Sequence, residues 1–309
     1  MIYVSFEGGL GNQLFQYAMG RYMEKRFNEQ VYIDNSKYEF EAIEFRDFKL
    51  YDFNISPKWK IAPSQKSRLA RFGYGYYAYL AFTWLYLKIN KNRKKRDGKL
   101  YFAKEYQWLI NHMGFYRVHY DEELKLYNSW TNKKIVRGMW FYPDVVKSLG
   151  DQLKDELTVK TDMSKENQEL LNQIDTSESV AVHIRRGDFV KLGLVVCDIP
   201  YYERCMNKMS GLVQNPTFFV FSDDINWVKE NLSTKQYNVV FVDNNNSSTD
   251  DMRLVYSCKH FIMSNSTFSW WGAYLGRYKD KIVICPETWA KGGKPSPLIL
   301  DEWMVEKTF

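Results

Sequence analysis

The stretch SVAVHIRRGDFV, residues 179–190, sets alternating apolar positions against His183, Arg185, Arg186, Gly187 and Asp188. A planar, permanently charged guanidinium meets phosphate oxygens in pairs, so two adjacent arginines suit a multiply charged anion such as a diphosphate. Neighbouring residues of an extended chain point to opposite faces, and both arginines reach one anion only if the chain turns, which Gly187 permits. Two arginines bridging to surface acids would need no ligand at all. A second group, Ser264, Ser266 and Thr267, stands ahead of a helix that starts near Phe268. Hydroxyls and free N–H groups at a helix start hold anions, although one of the hydroxyls is also the natural N-cap. A third group, Gly8, Gly9 and Gly11, lies between a first strand and an amphipathic helix, where glycines let a ligand approach the backbone. Leu14 occupies the place of the third glycine in a dinucleotide fingerprint, and Asp34 sits near the spacing of a ribose-binding acid.

These residues need strand ends to carry them. From Val180 onward the chain alternates strand and helix: VAVHI, YYERCMNKMSGL, TFFVFSDD, INWVKENL, NVVFVD, DDMRLVYSCK, HFIMSN, TFSWWGAYLG, KIVICP. That pattern predicts a parallel sheet with helices on both faces, and ligands collect at the strand ends of such sheets. Residues 1–150 alternate in the same way, with a helical and aromatic insertion near 60–130. A polar helical piece, DQLKDELTVKTDMSKENQELLNQIDTS, marks the junction. The expectation is an α/β protein of two Rossmann-like domains, 1–150 and 151–309.

Composition narrows the function classes. Across 309 residues the net charge is +6, which suggests an anionic ligand without making the chain a nucleic-acid-binding polycation. Aromatic residues make up 17%, a density compatible with sugar-facing surfaces, yet Trp270 and Trp271 read first as core. Cys197, Cys205, Cys258 and Cys285 show no paired spacing and read as reduced, buried thiols. The four histidines (112, 119, 183, 260) lack metal-ligand spacing and no Asp-x-Asp occurs, so no metal site is expected. Charge on a leaving diphosphate would then fall to Arg185 and Arg186. The N-terminus MIYVSF reads directly as a strand rather than a signal peptide, which points to a cytoplasmic protein. Residues 73–96 run from an apolar, aromatic segment, too short to span a bilayer, into six basic residues between Lys88 and Arg96. They read either as peripheral membrane contact or as a buried helix followed by a charged loop.

Six segments in order, GGLGNQLFQYA, VHIRRGDF, VVCDIPYY, FSDDINWVKENL, DDMRLVYSCKH and SNSTFSWWGAYLG, resemble glycosyltransferase family 11, the α-1,2-fucosyltransferases. The resemblance implies a GT-B-like pair of domains facing a cleft, with GDP-L-fucose on the C-terminal half and a β-galactoside acceptor, free or lipid-linked, on the N-terminal half. It implies inverting transfer in glycan or O-antigen synthesis, with no metal and no cofactor besides the donor. Arg185 and Arg186 would then hold the β-phosphate and stabilise departing GDP. His183 and Asp251 would recognise guanine, Ser266 and Thr267 would contact phosphate, and Gly9, Gly11 and Asn12 would form a donor-facing loop. Asp188 is the motif carboxylate placed to act as general base, with Glu7 as the other candidate. Segment 60–150 would set acceptor choice. Two competing readings are a Rossmann oxidoreductase using the N-terminal glycines, and a non-catalytic sugar- or membrane-binding protein using the aromatic stretch.

Overall fold

The computed structural model describes residues 1–40, 47–63, 68–89, 107–117, 123–244, 247–290, 292–293 and 295–308. His119 and residues 90–96 of the basic segment lie outside the described residues. The chain forms two units, Met1–Phe48 with Ser56–Gly150, and Lys49–Ile55 with Asp151–Phe309.

The first unit contains β1 (Ile2–Ser5), α1 (Leu10–Phe27), β2 (Val31–Asp34), α2 (Ser36–Phe40), β3 (Lys60–Ile61), α3 (Arg68–Ile89), α4 (Gln107–His112), β4 (Phe115–Tyr116), β5 (Lys134–Arg137) and the start of α5 (Pro143–Glu156). Its strands pair in parallel in the order β3-β2-β1-β5-β4. Helix α1 buries Leu14, Phe15, Ala18, Met19 and Met23, and also Gln13 and Gln16. Those amides are tolerated because each is spent on backbone. The Gln16 side chain accepts from the Glu7 N–H at 3.0 Å and donates to the carbonyls of Glu7 (3.2 Å) and Gly138 (3.1 Å), tying the loop after β1 to the loop after its neighbour β5. Helix α5 breaks at Gly150 (φ 59), where the second unit begins.

The second unit contains a 3-10 turn (Leu50–Asp52), the end of α5, α6 (Lys165–Thr176), β6 (Glu178–Ile184), α7 (Gly187–Lys191), α8 (Ile199–Leu212), β7 (Pro216–Ser222), α9 (Ile225–Asn231), β8 (Asn238–Phe241), α10 (Ser248–Ser257), β9 (His260–Ile262), α11 (Thr267–Leu275), β10 (Val283–Pro286) and β11 (Met304–Glu306). Every ladder is parallel, in the order β11-β10-β9-β6-β7-β8. Alternation along β6 sends Val180, Val182 and Ile184 into a core with Tyr201, Cys205, Met206 and Met209 of α8 and Phe218 and Val220 of β7. Truncating one of these side chains to Ala would cost about 2–5 kcal/mol. Segment Lys49–Ile55 joins this unit through the Asp52 carboxylate, which accepts from Thr249 Oγ1 at 3.0 Å, and the Asn54 N–H, which donates to the Thr158 carbonyl at 3.1 Å. Nothing in the composition of that segment had assigned it to the second half. Trp270 and Trp271 are fully buried, and all four cysteines are buried and unpaired.

Candidate anion site at the carboxyl end of the second sheet

In a parallel sheet each helix that follows a strand begins at the carboxyl edge, so α7, α9, α10 and α11 all start on one side of the second sheet. Strand order reverses between β6 and β9, and a crevice outside the carboxyl ends of strands forms at such a point. Val182 pairs with Ile262, which sets His183 beside the chain leaving β9. His183 Nδ1 lies 2.6 Å from Ser269 Oγ and 3.1 Å from Ser264 Oγ, and its ring sits 4.9 Å from that of Phe268. Burial, with the Arg185 charge second, pushes His183 down to about 3. The ring is therefore neutral at physiological pH and bridges the two diverging loops.

The arginines follow directly. Arg185 Nη2 donates to Asp188 Oδ1 at 2.6 Å, and its Nη1 lies 3.0 Å from Asp223 Oδ2. The Arg186 N–H donates to Asp223 Oδ1 at 2.8 Å, and its Nε donates to Asp224 Oδ2 at 3.2 Å. The Arg186 guanidinium carbon stands 3.2 Å from the centre of the Trp227 ring of α9, a cation–π contact that fixes its plane. Gly187 opens α7 rather than serving only as a turn: a Cβ there would overlap the Asp223 carboxylate. The guanidiniums stand past a strand end and are held there by acids, the contacts that the ion-pair reading describes.

Other anticipated residues fall in three places. Ser264 belongs to the His183 network, Ser266 caps α11 by accepting from the Phe268 N–H at 3.3 Å, and Thr267 opens that helix. Asp251 lies in the first turn of α10, beyond β8, beside a reciprocal capping box of Ser247 and Asp250. It shares the carboxyl edge with the arginines but is two strands away from β6. Gly9, Gly11, Asn12 and Glu7 belong to the first unit. There Gly8 has φ 85, Tyr38 donates to its carbonyl at 2.6 Å, Gly9 caps α1 with open space where a side chain would be, and Glu7 pairs with Lys37. Asp34, read as a ribose acid under the oxidoreductase alternative, instead accepts from Ser5 Oγ at 2.9 Å and from Ser36 Oγ. Among the described residues no three His, Cys, Asp or Glu side chains gather as a metal site.

Sequence reasoning missed Asp223, Asp224 and Trp227. The signal was present in FSDDINW, two acids placed immediately past a buried strand, which is where Arg185 and Arg186 also stand.

Two units that each carry an all-parallel sheet give the chain a GT-B-like fold. The fold is similar to that of fucosyltransferase NodZ from Bradyrhizobium, with a TM-score of 0.51 and 13% identity over 88% of this chain and 91% of that one. The sequence matches glycosyl transferase family 11 over residues 1–306, and the chain belongs to that family. It is 28% identical to the alpha-1,2-colitosyltransferase of Escherichia coli, across 91% of this chain and 90% of that protein. It is 30% identical to human galactoside alpha-(1,2)-fucosyltransferase 1 across 50% of this chain and 48% of that protein.

Proposed function

We propose that the chain transfers L-fucose from GDP-β-L-fucose to the 2-hydroxyl of a terminal β-galactoside, inverting the sugar to give an α-1,2-fucoside in glycan synthesis. The observation that carries this reading is the arginine pair at the reversal point of the second sheet. As the bond from C1 of the sugar to the β-phosphate oxygen breaks, negative charge grows on that oxygen. Cations fixed at that place act on the transition state more than on the ground state. Arg185 and Arg186 fill this role, positioned by Asp188, Asp223, Asp224 and Trp227. Ser266 and Thr267 supply donors at the start of α11, and Asp251 takes the guanine, while His183, expected from the resemblance to share that role, is buried on Ser264 and Ser269 and holds the two loops in place. The acceptor oxygen bonds to C1 while its proton leaves to a carboxylate. Asp188 and Glu7 are the candidates, each held by a cation in this structure. The leaving group is carried by guanidiniums, so transfer proceeds in EDTA.

The relatives favour 1,2 transfer in two forms, a fucosyl and a colitosyl one. Colitose is L-fucose without its 3-hydroxyl, so the same arrangement could serve either donor. The deciding experiment incubates the full chain with GDP-fucose or GDP-colitose, EDTA and a panel of β-galactosides, with linkage analysis of the product. An α-1,2-fucoside supports the reading. Exclusive use of GDP-colitose replaces the donor, and failure with both donors on every acceptor overturns the assignment.

A further inference from the structure

We propose that the outer face of α3 docks on an anionic lipid surface. Beyond its kink at Gly73 (φ 66), this helix is two-sided. Tyr76, Tyr79 and Phe82 pack inward with Ile110, Phe115 and Ile135. The Tyr76 and Tyr79 rings each lie 5.4 Å from that of Phe115. At the complementary helical spacing Tyr74, Tyr77, Leu80, Trp84 and Leu85 face outward, with Tyr74 73% and Trp84 62% exposed. A solvated helix carries polar or charged residues on its outer face. From Tyr74 to Leu85 this one carries no charge at all.

Two observations define the occupant. Tyr and Trp rings have an apolar body and a polar edge, which suits the head-group level of a bilayer. The face then ends in Lys88, whose Nζ stands 4.8 Å over the Trp84 ring, and the sequence from Lys88 to Arg96 holds six basic residues and no acidic one. A second copy of the same face offers Lys88 no acidic partner, whereas an acidic head-group layer complements it. Contact is at the surface, because no helix among the described residues is long and apolar enough to cross a membrane. The inference stands apart from the donor assignment.

The test sediments the full chain with vesicles of phosphatidylcholine, with and without phosphatidylglycerol, at low and high NaCl. Light scattering of the protein alone reports oligomeric state, and GDP binding reports an intact second unit. Binding is expected only with phosphatidylglycerol, and weaker at high salt. The double variant Tyr74→Ser, Trp84→Ser should lose roughly tenfold or more of it, and Lys88→Glu at least about fivefold, with GDP binding unchanged in both. Absence of binding by the unaltered protein, equal binding to phosphatidylcholine alone, or undiminished binding by both variants would each overturn the proposal. So would conversion of a dimer to a monomer by the double variant, which would assign the face to a second copy.

Discussion

Arg186 fills no core position, so Arg186→Ala should remove transition-state charge without unfolding the chain. The expected loss is on the order of a hundredfold to a thousandfold in kcat, checked by initial rates beside a thermal melt. Gly187→Ala is a subtler probe. Its new methyl meets the end of one flexible side chain, Asp223, which also braces Arg185 and the Arg186 backbone. Melting should hardly change while kcat falls about tenfold or more, as expected when a catalytic group is displaced by a fraction of an ångström. Asp188→Asn separates two roles, because an amide oxygen still accepts from Arg185 but no longer takes a proton. If Asp188 only orients Arg185, the acid limb of the kcat/KM profile stays in place; if it is the base, that limb disappears. At this scale the arginines were legible because their chemistry is local. For Asp223 and Asp224 only half the signal was local: FSDDINW puts them past a buried strand, but that they meet the arginines follows from the pairing of Ile184 with Ser222, which no run of neighbouring residues announces.

Among elements, the contact of β6 with the start of α11 rests on a neutral His183. An unfolded His titrates near 6.5, and the folded one is pushed down to about 3. Between those values the unfolded chain binds a proton that the native one refuses, so stability is lost as pH falls through that window. His183 should account for about 2 kcal/mol of lost stability from pH 7 to pH 5. Urea melts of the protein and of His183→Gln should show the slope flattened in the variant but not abolished, because burial also lowers His260. The strands and helices of the second half were legible in the alternation of VAVHI, INWVKENL and KIVICP, since each segment declares its own periodicity. Two things were not. The pairing of β6 with β9 joins residues about eighty positions apart, and five-residue α7 is too short to show a period.

For the whole molecule, two sheets of one type raise the question of which binds the nucleotide. GDP should slow hydrogen exchange at 185–190, 222–224 and 264–268 and leave the strands of the first sheet unchanged. Saturation at about a hundred times Kd should add about 2.7 kcal/mol to the stability of the protein. Protection centred on the glycines after β1 instead would move the site to the first unit. The units divide at Gly150, and the excursion of Lys49–Ile55 into the second unit was not legible in composition, because it depends on contacts of Asp52 with Thr249 and of Asn54 with Thr158, far apart in sequence. The pairing of Arg185 and Arg186 with three carboxylates also bears on how a ligand arrives. Two positive charges set against three negative ones leave the cluster net negative, with no long-range attraction for a diphosphate, which is therefore captured only at close range, on guanidinium N–H groups that Asp188, Asp223 and Asp224 do not take. Capture should therefore be slow and nearly indifferent to salt, with less than about threefold change in association rate across a tenfold range of NaCl by stopped flow. Selectivity then lies in fit at close range: only an anion whose oxygens reach the N–H groups left by the braced acids can stay.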